Sequence, residues 1–413
     1  MSDFFDTLET REPEVREAEQ MAALSRQVAH AQQHAPAYGE LLAGVDASAI
    51  NSREALASLP LTRKDELIER QRLQPPFGGL AAVKAPELNR VFISPGPIFE
   101  PGSRRGDFWR FARALHAAGF RGGELLHNCF AYHFTPAGAM VESGAHALGC
   151  TVFAAGPGQL EAQVQAVTAL RPDGYVGTPS FLKMILEKGD EIGSELSSLR
   201  RALVSGEYLP PSLRAAMGER GITMRQCYAT ADIGLLAYES DALEGMIVDE
   251  GIILEIVRPG TGAPVADGEV GEVIVTSLSP EYPLVRFATG DLSAILAGTS
   301  PCGRTNRRIK GWLGRADQTT KVRGMFVRPS QVAQVLRQHP EILRGRLVVE
   351  RISDADSMTL HCELAAGAAN TPADAVAATI RQVCNLRGEV VFVPAGTLAN
   401  DGKVIDDLRP IDA

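Results

Sequence analysis

The segment VRFATGDL, residues 285–292, and the segment GRADQTTKVRG, residues 314–324, place two acids and a basic cluster on glycine-rich turns. Asp291 directly follows a glycine, where the backbone can turn and a carboxylate can face the hydroxyl groups of a ligand. The same Gly-Asp pair is also common in solvent-facing turns that join two strands. The pattern therefore predicts either a nucleotide site beside a hinge or an ordinary turn.

Length and composition narrow the class of protein. A chain of 413 residues is too long for one hydrophobic core, so more than one domain is expected. The net charge of −9 argues against general nucleic-acid binding. The six cysteines are scattered without a CxxC pair, which is typical of free thiols in a reducing compartment. Because neither an apolar signal core nor a membrane-length apolar run occurs, we expect a cytoplasmic protein without a membrane anchor.

The order of apolar patterns predicts an α/β fold with a large N-terminal domain and a small, mobile C-terminal α+β domain. Residues 1–80 read as a helical arm, with apolar residues at helical spacing: Val15, Met21, Leu24, Val28 and Ala31. Thr62 is a candidate N-cap for the helix that follows. Residues 90–210 alternate short strands with helices, which predicts parallel strands flanked by helices. Residues 252–278 predict a β-rich hairpin, and the domains are expected at 1–316 and 317–413.

Seven ordered segments together carry a resemblance that no single one does. They are GTPSFL, SGEYLPPSLR, QCYATADIGLLAYE, GEVGEVIVTSL, YPLVRFATGDL, GRADQTTKVRGMFVRPSQV and GTLANDGKVIDDLRP. In this order they resemble the core motifs of the AMP-forming acyl-adenylating enzymes, and within that superfamily the phenylacetate-CoA ligases and related aryl-CoA ligases. The resemblance implies that a carboxylate and ATP form an acyl-adenylate, which a thiol, usually coenzyme A, then attacks. It also implies a homodimer.

The resemblance assigns roles to individual residues. Lys403 matches the lysine that bridges the carboxylate and the α-phosphate, and Asp232 matches the acid that helps to hold Mg²⁺. Asp291 would accept hydrogen bonds from the ribose hydroxyls, since an ionised carboxylate has two acceptor oxygens. The nucleotide-binding residues implied are Asp291, Arg315, Gly206, Glu207, Tyr228, Ala229, Thr230 and Ser94.

Further roles concern the second half-reaction and the acyl group. Asp317 matches the hinge acid about which the small domain rotates. Arg323 and Gly324 match the coenzyme A segment. The acyl pocket is expected to contain Tyr132, His133, Phe134, Ala137, Gly138 and Ser205. Residues 304–328 hold eight Lys or Arg and one acid, which predicts either a polyphosphate-binding surface or a basic face paired with acids elsewhere.

Two departures from the family pattern limit these expectations. The phosphate loop of the family is rich in Ser, Thr and Gly and ends in Lys-Pro, whereas residues 93–106 read ISPGPIFEPGSRRG. Glu100 stands where the lysine would be, so either Arg104 and Arg105 supply the charge or ATP is handled poorly. Many relatives carry a Cys/His zinc site, but here Ser240 and Met246 occupy ligand-like positions and only Cys302 remains. We therefore expect no zinc site.

Three functions follow from this sequence. The first is a ligase that uses ATP, Mg²⁺ and coenzyme A to activate an aromatic or other compact carboxylate. The second is a divergent adenylating enzyme with an amine or carrier-protein acceptor. The third is a nucleotide- or acyl-adenylate-binding homologue with impaired catalysis. Retention of Asp291, Asp317, Gly324 and Lys403 favours catalysis, and the altered phosphate loop favours the third function.

Overall fold

The structure is a computed structural model that describes residues 3–259, 261–316, 318–352, 355–364, 372–398 and 404–409. Contacts group the chain into two compact units. Unit 1 comprises residues 1–289 and 293–312, and unit 2 comprises residues 290–292 and 313–413. Asp317 lies outside the described residues, and the expected domain boundary at that residue stays a prediction.

The eleven helices of the described chain are mostly short. They are α1 Pro13–His34, α2 Pro36–Leu41, α3 Arg53–Ala57, α4 Leu67–Leu73, α5 Phe111–Ala117, α6 Ala137–Leu148, α7 Leu160–Leu170, α8 Pro179–Glu191, α9 Pro211–Glu219, α10 Pro329–Gln338 and α11 Ala373–Cys384. None of these described helices has the length and apolar character needed to span a bilayer.

The described strands form three sheets and two hairpins. They are β1 Thr62–Arg63, β2 Arg90–Ser94, β3 Ile98–Gly102, β4 Leu125–Asn128, β5 Thr151–Ala154, β6 Gly174–Gly177, β7 Arg201–Val204, β8 Thr223–Thr230, β9 Gly234–Glu239, β10 Met246–Val248, β11 Ile252–Val257, β12 Gly271–Ser277, β13 Phe287–Ser293, β14 Ile295–Leu296, β15 Arg308–Ile309, β16 Thr320–Val322, β17 Met325–Val327, β18 Ile342–Ile352, β19 Ala355–Leu364, β20 Glu389–Val393 and β21 Ile405–Asp407.

A nine-stranded mixed sheet forms the centre of unit 1. Its order is β14-β15-β10-β9-β8-β7-β6-β4-β5, and the last five strands run parallel. Alternate residues of these strands enter different cores: Ala202 and Val204 pack with α7 and α8, and Leu203 packs with α5 and α6. Since side chains alternate between the faces of a strand, helices cover both faces. The predicted parallel α/β arrangement is confirmed.

The N-terminal helical arm packs against a second sheet of unit 1, in the order β1-β13-β12-β11. Of the apolar residues at helical spacing, Leu24 and Val28 are buried there, whereas Val15 is 48% exposed. The buried Gln20 and Gln27 of α1 donate hydrogen bonds to the carbonyls of Ile252, Ser277 and Ser279. These amides satisfy strand carbonyls that the helix removes from water.

Thr62 does not cap a helix. It lies in β1 and pairs in parallel with Phe287 of β13, and its hydroxyl donates to the Val285 carbonyl at 3.1 Å. The helix α4 begins only at Leu67, after a short 3-10 turn at Lys64–Glu66. Thr62 pairs with a distant strand instead of capping the nearby helix. A short window of sequence contains no information about that distant partner.

Unit 2 contains an α+β module, as predicted for the C-terminal region. Its sheet has the order β20-β19-β18-β21, with a long antiparallel pair between β18 and β19. The helices α10 and α11 share one hydrophobic core with these strands, including Val335, Leu360 and Ile380. Because this core holds only residues of unit 2, the module has a hydrophobic core of its own.

Arg286 is the most deeply buried cation of unit 1, with a side chain 2% exposed. Its guanidinium makes a bidentate pair with Glu255 of β11, at 2.9 and 3.1 Å. The remaining N–H groups donate to the carbonyls of Ala57, Leu59 and Gly262 at 2.7 to 2.8 Å. Burial raises the pKa of Glu255, while Arg286 opposes that shift. One side chain thus connects the helical arm, β11 and the start of β13.

Replacing Arg286 with Ala should lower the free energy of unfolding by about 3–5 kcal/mol, because a buried carboxylate and three carbonyls lose their partner. Urea denaturation of the purified protein measures this change. Arg72→Ala is the control: its ion pair with Glu69 is exposed, and its effect should stay within about 0.5 kcal/mol. Equal stability of the two variants would contradict the role given to Arg286.

Candidate functional site

Several predicted site residues follow the carboxyl ends of the parallel strands. Ser205, Gly206 and Glu207 come directly after β7, and the Ser205 hydroxyl donates to the Cys227 carbonyl of β8 at 2.8 Å. Glu207 accepts a 2.5 Å hydrogen bond from Ser180, which stands at the start of α8 after β6. Ligands of open α/β sheets bind at this edge, and the strand order gathers these residues there.

The next strand contributes the tyrosine motif. Tyr228, Ala229 and Thr230 end β8 at an irregularity in its pairing with β9. The Tyr228 hydroxyl lies 3.4 Å from the Thr289 hydroxyl of β13, and Thr230 accepts from the backbone of Ile233. The motif therefore makes a turn, and this turn sends the Asp232 side chain into the protein interior.

Asp232 lies in a buried polar cluster with Lys64, Glu100 and Ser94. Lys64 donates to Asp232 Oδ2 at 2.6 Å, and the Asp232 side chain is fully buried. Ser94 donates to Glu100 Oε1 at 2.5 Å, and Glu100 is 1% exposed. The other oxygens of the two acids, Asp232 Oδ1 and Glu100 Oε2, are buried and receive no hydrogen bond from any residue that the structure describes. We call these four residues the carboxylate cluster.

The surroundings of the carboxylate cluster raise the pKa of Glu100 and of a neighbouring tyrosine. Burial, and then the Asp232 charge, raises the pKa of Glu100 to about 8, and Lys64 and the Ser94 hydrogen bond only partly oppose this rise. Burial, and then the charges of Asp232 and Glu100, also raises the pKa of Tyr282. Its buried hydroxyl has no hydrogen-bond partner in the described part of the chain. Buried acceptor oxygens without donors fit a small hard cation such as Mg²⁺, which prefers oxygen ligands.

The altered phosphate loop is a β-hairpin. β2 and β3 pair antiparallel, so Ser94 is opposite Ile98 and the residues Pro95, Gly96 and Pro97 form the turn. Glu100 lies on β3 and points into the protein rather than toward an open loop, since it is almost fully buried. The prolines remove two amide donors from the turn.

That Arg104 and Arg105 supply the missing charge was one of two alternatives, and it stays a prediction. Arg104 donates to the carbonyls of Leu88 and Pro86, and Arg105 pairs with Glu281 at 3.1 Å. The cation at the cluster is Lys64, which sequence reasoning missed. Lys64 lies two residues after Thr62, and its distance from Asp232 along the chain hid the contact.

The acyl-pocket segment forms a loop and the start of α6. Asn128 donates to the Tyr132 hydroxyl at 2.8 Å and to the Gly138 carbonyl at 2.9 Å, which joins the strand end to the helix start. Phe134, by contrast, is 74% exposed. Of the predicted pocket residues, Tyr132, His133, Phe134, Ala137 and Gly138 belong to this loop and helix start, whereas Ser205 follows β7. The roles of all six stay predictions.

In unit 2, Asp291 and Arg315 are in direct contact. Arg315 Nη1 donates to Asp291 Oδ1 at 2.8 Å, and the two residues form an isolated antiparallel bridge. Gly290 has φ +74°, and a β-carbon there would lie 2.5 Å from the Arg315 guanidinium. Only glycine therefore lets Arg315 reach the acid. The two residues predicted to bind nucleotide thus occupy one site.

The predicted coenzyme A residues form the two-residue turn of the β16–β17 hairpin. Arg323 and Gly324 both have positive φ, 47° and 83°, as a hairpin turn of this type requires. The Arg323 side chain donates to the Asp356 carbonyl at 3.0 Å. A β-carbon on Gly324 would meet no atom within 4 Å, so its backbone faces open space.

Two assignments fall on residues that the structure does not describe. Lys403 and Asp317 lie outside the described ranges. Of the basic residues between 304 and 328, Arg304, Arg307 and Arg308 form ion pairs with Glu9, Asp267 and Glu244. These pairs favour the second interpretation of the basic cluster, a basic face paired with acids.

The region compared with the zinc site of relatives holds an arginine. The Cys302 thiol contacts the Ser300 hydroxyl at 3.1 Å and Arg304 Nη1 at 3.6 Å. Hydrogen bonds from Ser240, Ser300 and Arg304 lower the pKa of Cys302 although burial raises it. Across the described residues, no three His, Cys, Asp or Glu side chains are grouped to hold a metal ion. The absence of zinc stays a prediction.

Comparisons with known proteins agree on one family. The model of the AMP-binding enzyme family matches residues 110–279. The phenylacetate-coenzyme A ligase of Thermus thermophilus is 34% identical over 375 residues, which cover 86% of this chain and 83% of that protein. The phenylacetate-coenzyme A ligase of Escherichia coli is 30% identical over 378 residues, 87% of this chain and 85% of that protein.

A solved structure shows the same fold. It is that of 2-hydroxyisobutyryl-CoA ligase in complex with 2-HIB-AMP and CoA, with a TM-score of 0.83 and 24% sequence identity. The match covers 99% of this chain and 93% of that chain. The mixed α/β architecture and its several sheets therefore correspond to an adenylating-enzyme fold.

Glu100→Gln should stabilise the protein increasingly as pH rises. Because the pKa of Glu100 is raised to about 8 in the folded state, the folded protein holds the proton of Glu100 more tightly than the unfolded chain does. The stability that this proton adds is lost as pH rises from the ordinary pKa of a glutamic acid to about 8. The neutral amide avoids that loss, and the stability difference should grow by at most about 1.4 kcal/mol per pH unit. Urea denaturation at about pH 5, 7 and 9 with a chelator measures it.

Glu281→Gln is the matched control, because hydrogen bonds from Ser103 and Ser279 and the charge of Arg105 lower the pKa of Glu281 despite its burial. Its stability contribution is lost only as pH falls through that lowered value, so its difference from the parent protein should be constant from about pH 5 to 9. A pH-independent difference for Glu100→Gln as well would show that Glu100 is ionised throughout.

Proposed function

The chain belongs to the phenylacetate-CoA ligase family of AMP-binding enzymes, and on that premise we propose that it activates a carboxylate with ATP and transfers the acyl group to coenzyme A. In the first step a carboxylate oxygen attacks the α-phosphorus of ATP, which forms the acyl-adenylate and releases pyrophosphate. In the second step the thiol sulfur attacks the acyl carbon, the thioester forms, and AMP leaves. The protein is an AMP-forming acid–thiol ligase.

The observation that carries this proposal is the match to phenylacetate-coenzyme A ligases over most of both chains, at 34% identity for the Thermus thermophilus protein. The site geometry supports it. Glu207, Ser205 and the tyrosine motif follow parallel strands at one edge of the sheet, and Asp291 is held by Arg315 beside a glycine that nothing larger can replace. The acid substrate is proposed to be aromatic or similarly compact, as in these relatives.

Asp291 and Arg315 are proposed to hold the ribose end of the nucleotide. Arg315 already donates to one carboxylate oxygen of Asp291, a charge-assisted hydrogen bond that fixes the position of the acid. Lys403 is proposed to stand between the acyl carboxylate and the α-phosphate. A fixed ammonium stabilises the negative charge that develops in the transition state, and its effect is large in a site from which water is excluded.

Asp232 is proposed to help to hold Mg²⁺, which when bound offsets the charge of the phosphate oxygens. Its buried, donor-free Oδ1 supports that assignment. Asp317 is proposed as the hinge of the smaller domain, residues 317–413, with Arg323 and Gly324 presenting a hairpin turn to coenzyme A. We also propose a homodimer in the cytoplasm, where the six cysteines, none of which forms a disulfide, would stay reduced.

One observation favours a second candidate, a homologue that binds the acyl-adenylate but turns ATP over poorly. Glu100 occupies the loop position of a cation, and the prolines on either side of Gly96 remove amide donors that would grip phosphate. A protein that only binds the acyl-adenylate needs neither the cation nor the amide donors, because it does not have to grip the outer phosphates of ATP. Both candidates bind nucleotide, so the rate at which the acyl-adenylate forms from ATP distinguishes them.

The decisive measurement is carboxylate-dependent exchange of labelled pyrophosphate into ATP, with a panel that includes phenylacetate. We expect exchange with at least one aromatic acid and a loss of about 10²-fold or more in Lys403→Ala, the magnitude of a lost transition-state charge contact. Lys183→Ala, a lysine near Glu187 on α8, is the control and should leave exchange unchanged. Adenylate binding without exchange would instead establish the second candidate.

The acceptor is tested in the same preparation by the dependence of AMP release on the nucleophile. Coenzyme A should raise the rate of AMP release at least about tenfold, because thioester formation removes the bound adenylate. Gly324→Val should suppress that increase and leave pyrophosphate exchange intact, since it blocks the open hairpin turn and disfavours positive φ. Release driven by an amine and not by coenzyme A would contradict the thiol acceptor.

A further inference from the structure

The carboxylate cluster has one acid more than its cation balances. When both acids are ionised, Glu100 and Asp232 carry two negative charges and Lys64 carries one positive charge. Glu100 is 1% exposed and the Asp232 side chain fully buried, so water screens this imbalance poorly. Such a cluster repels a polyphosphate unless a further positive charge is present.

The hydrogen bonds of the cluster use only one oxygen of each carboxyl group. Lys64 is bound to Oδ2 of Asp232 and Ser94 to Oε1 of Glu100. The two remaining oxygens, Asp232 Oδ1 and Glu100 Oε2, belong to carboxyl groups close enough to hydrogen-bond each other, and no described residue donates to either. Buried acceptor oxygens usually have a donor or bind an ion.

A third polar atom without a partner points to a ligand at the same place. The Tyr282 hydroxyl is buried, with the residue 2% exposed, and both carboxylates act on it electrostatically. It finds no hydrogen-bond partner in the described part of the chain. Glu100, Asp232 and Tyr282 come from three different segments, β3, the β8–β9 turn and the segment before β13, so their convergence is a tertiary feature.

We propose that Glu100 and Asp232 together bind a divalent cation, so that this protein holds the metal ion before the nucleotide arrives. Glu100 is thus a metal ligand at a position where the resemblance places a phosphate-binding lysine. Two ionised carboxylates, Lys64 and a divalent cation together carry a net charge of +1, which is the sign that a triphosphate requires. Two carboxylates leave coordination positions for water or phosphate oxygens, as is usual for Mg²⁺.

This inference rests on the proposed function for its biological use, but its test does not need turnover. Mn²⁺, the spectroscopic substitute for Mg²⁺, is titrated into the metal-free full-length protein without nucleotide, and free Mn²⁺ is followed by electron paramagnetic resonance. We expect one Mn²⁺ per chain, and binding weakened at least tenfold in Glu100→Gln and in Asp232→Asn. Glu281→Gln, whose carboxylate is held by Ser103 and Arg105, should bind as the parent protein does.

Glu100→Lys gives a second test that removes the ligand and places a positive charge there. It should bind no Mn²⁺ without nucleotide and should regain one Mn²⁺ when ATP is added, because the phosphates then supply ligands. Circular dichroism and thermal melting establish that each variant is folded. Absence of nucleotide-free Mn²⁺ binding by the parent protein, which needs no variant, would overturn the proposal, as would undiminished binding by Glu100→Gln.

The outcome is independent of the ligase proposal. Loss of pyrophosphate exchange together with intact Mn²⁺ binding would reject the ligase and leave the metal site standing. Exchange that persists while the metal-free parent protein binds no Mn²⁺ would reject the site and leave the ligase standing. In that case the two carboxyl groups share a proton instead of a cation.

Discussion

The buried guanidinium of Arg286 is the interaction on which the architecture of unit 1 depends. It fixes the end of α3, the Glu255 position of β11 and the turn at Gly262 to the residue that precedes β13. A buried arginine has five donors to satisfy, and each of them costs free energy if left without an acceptor. The partners come from three places in the chain, the end of α3, β11 and the turn at Gly262, so this one side chain ties those segments together.

That constraint bears on the site because β13 begins at the next residue. Thr289, on the same strand, reaches the tyrosine motif, and Thr62 pairs with Phe287 and so fixes the start of the segment that carries Lys64. Lys64 then meets Asp232. The helical arm is therefore not a separate appendage: it positions Lys64, the cation that contacts the buried Asp232.

The carboxylate cluster changes how the departure at the phosphate loop is understood. On the sequence alone, Glu100 was a repulsive charge in a loop that should contact phosphate. In the structure the acid is buried, bonded to Ser94 and affected by the charge of Asp232, the acid proposed to help to hold Mg²⁺. The departure from the family pattern therefore changes the charges of the proposed metal site.

Local patterns predicted the elements well and the contacts between them poorly. Helix α6 and the parallel strands follow from hydrophobic periodicity and turn residues, which act over a few positions. Asp291, by contrast, lies inside strand β13 and not on the turn that its glycine predicts. By themselves the local patterns determined the fold class, the order of elements and the candidate ribose acid. The pairing of Thr62 with β13, the hydrogen bonds of Arg104 to carbonyls, the ion pair of Arg105 with Glu281, and the meeting of Lys64, Glu100 and Asp232 were decided only by the tertiary structure. The physical reason is that burial and charge pairing depend on distance in space. The periodicity of a sequence reports only on neighbouring residues and does not show which distant residues come into contact.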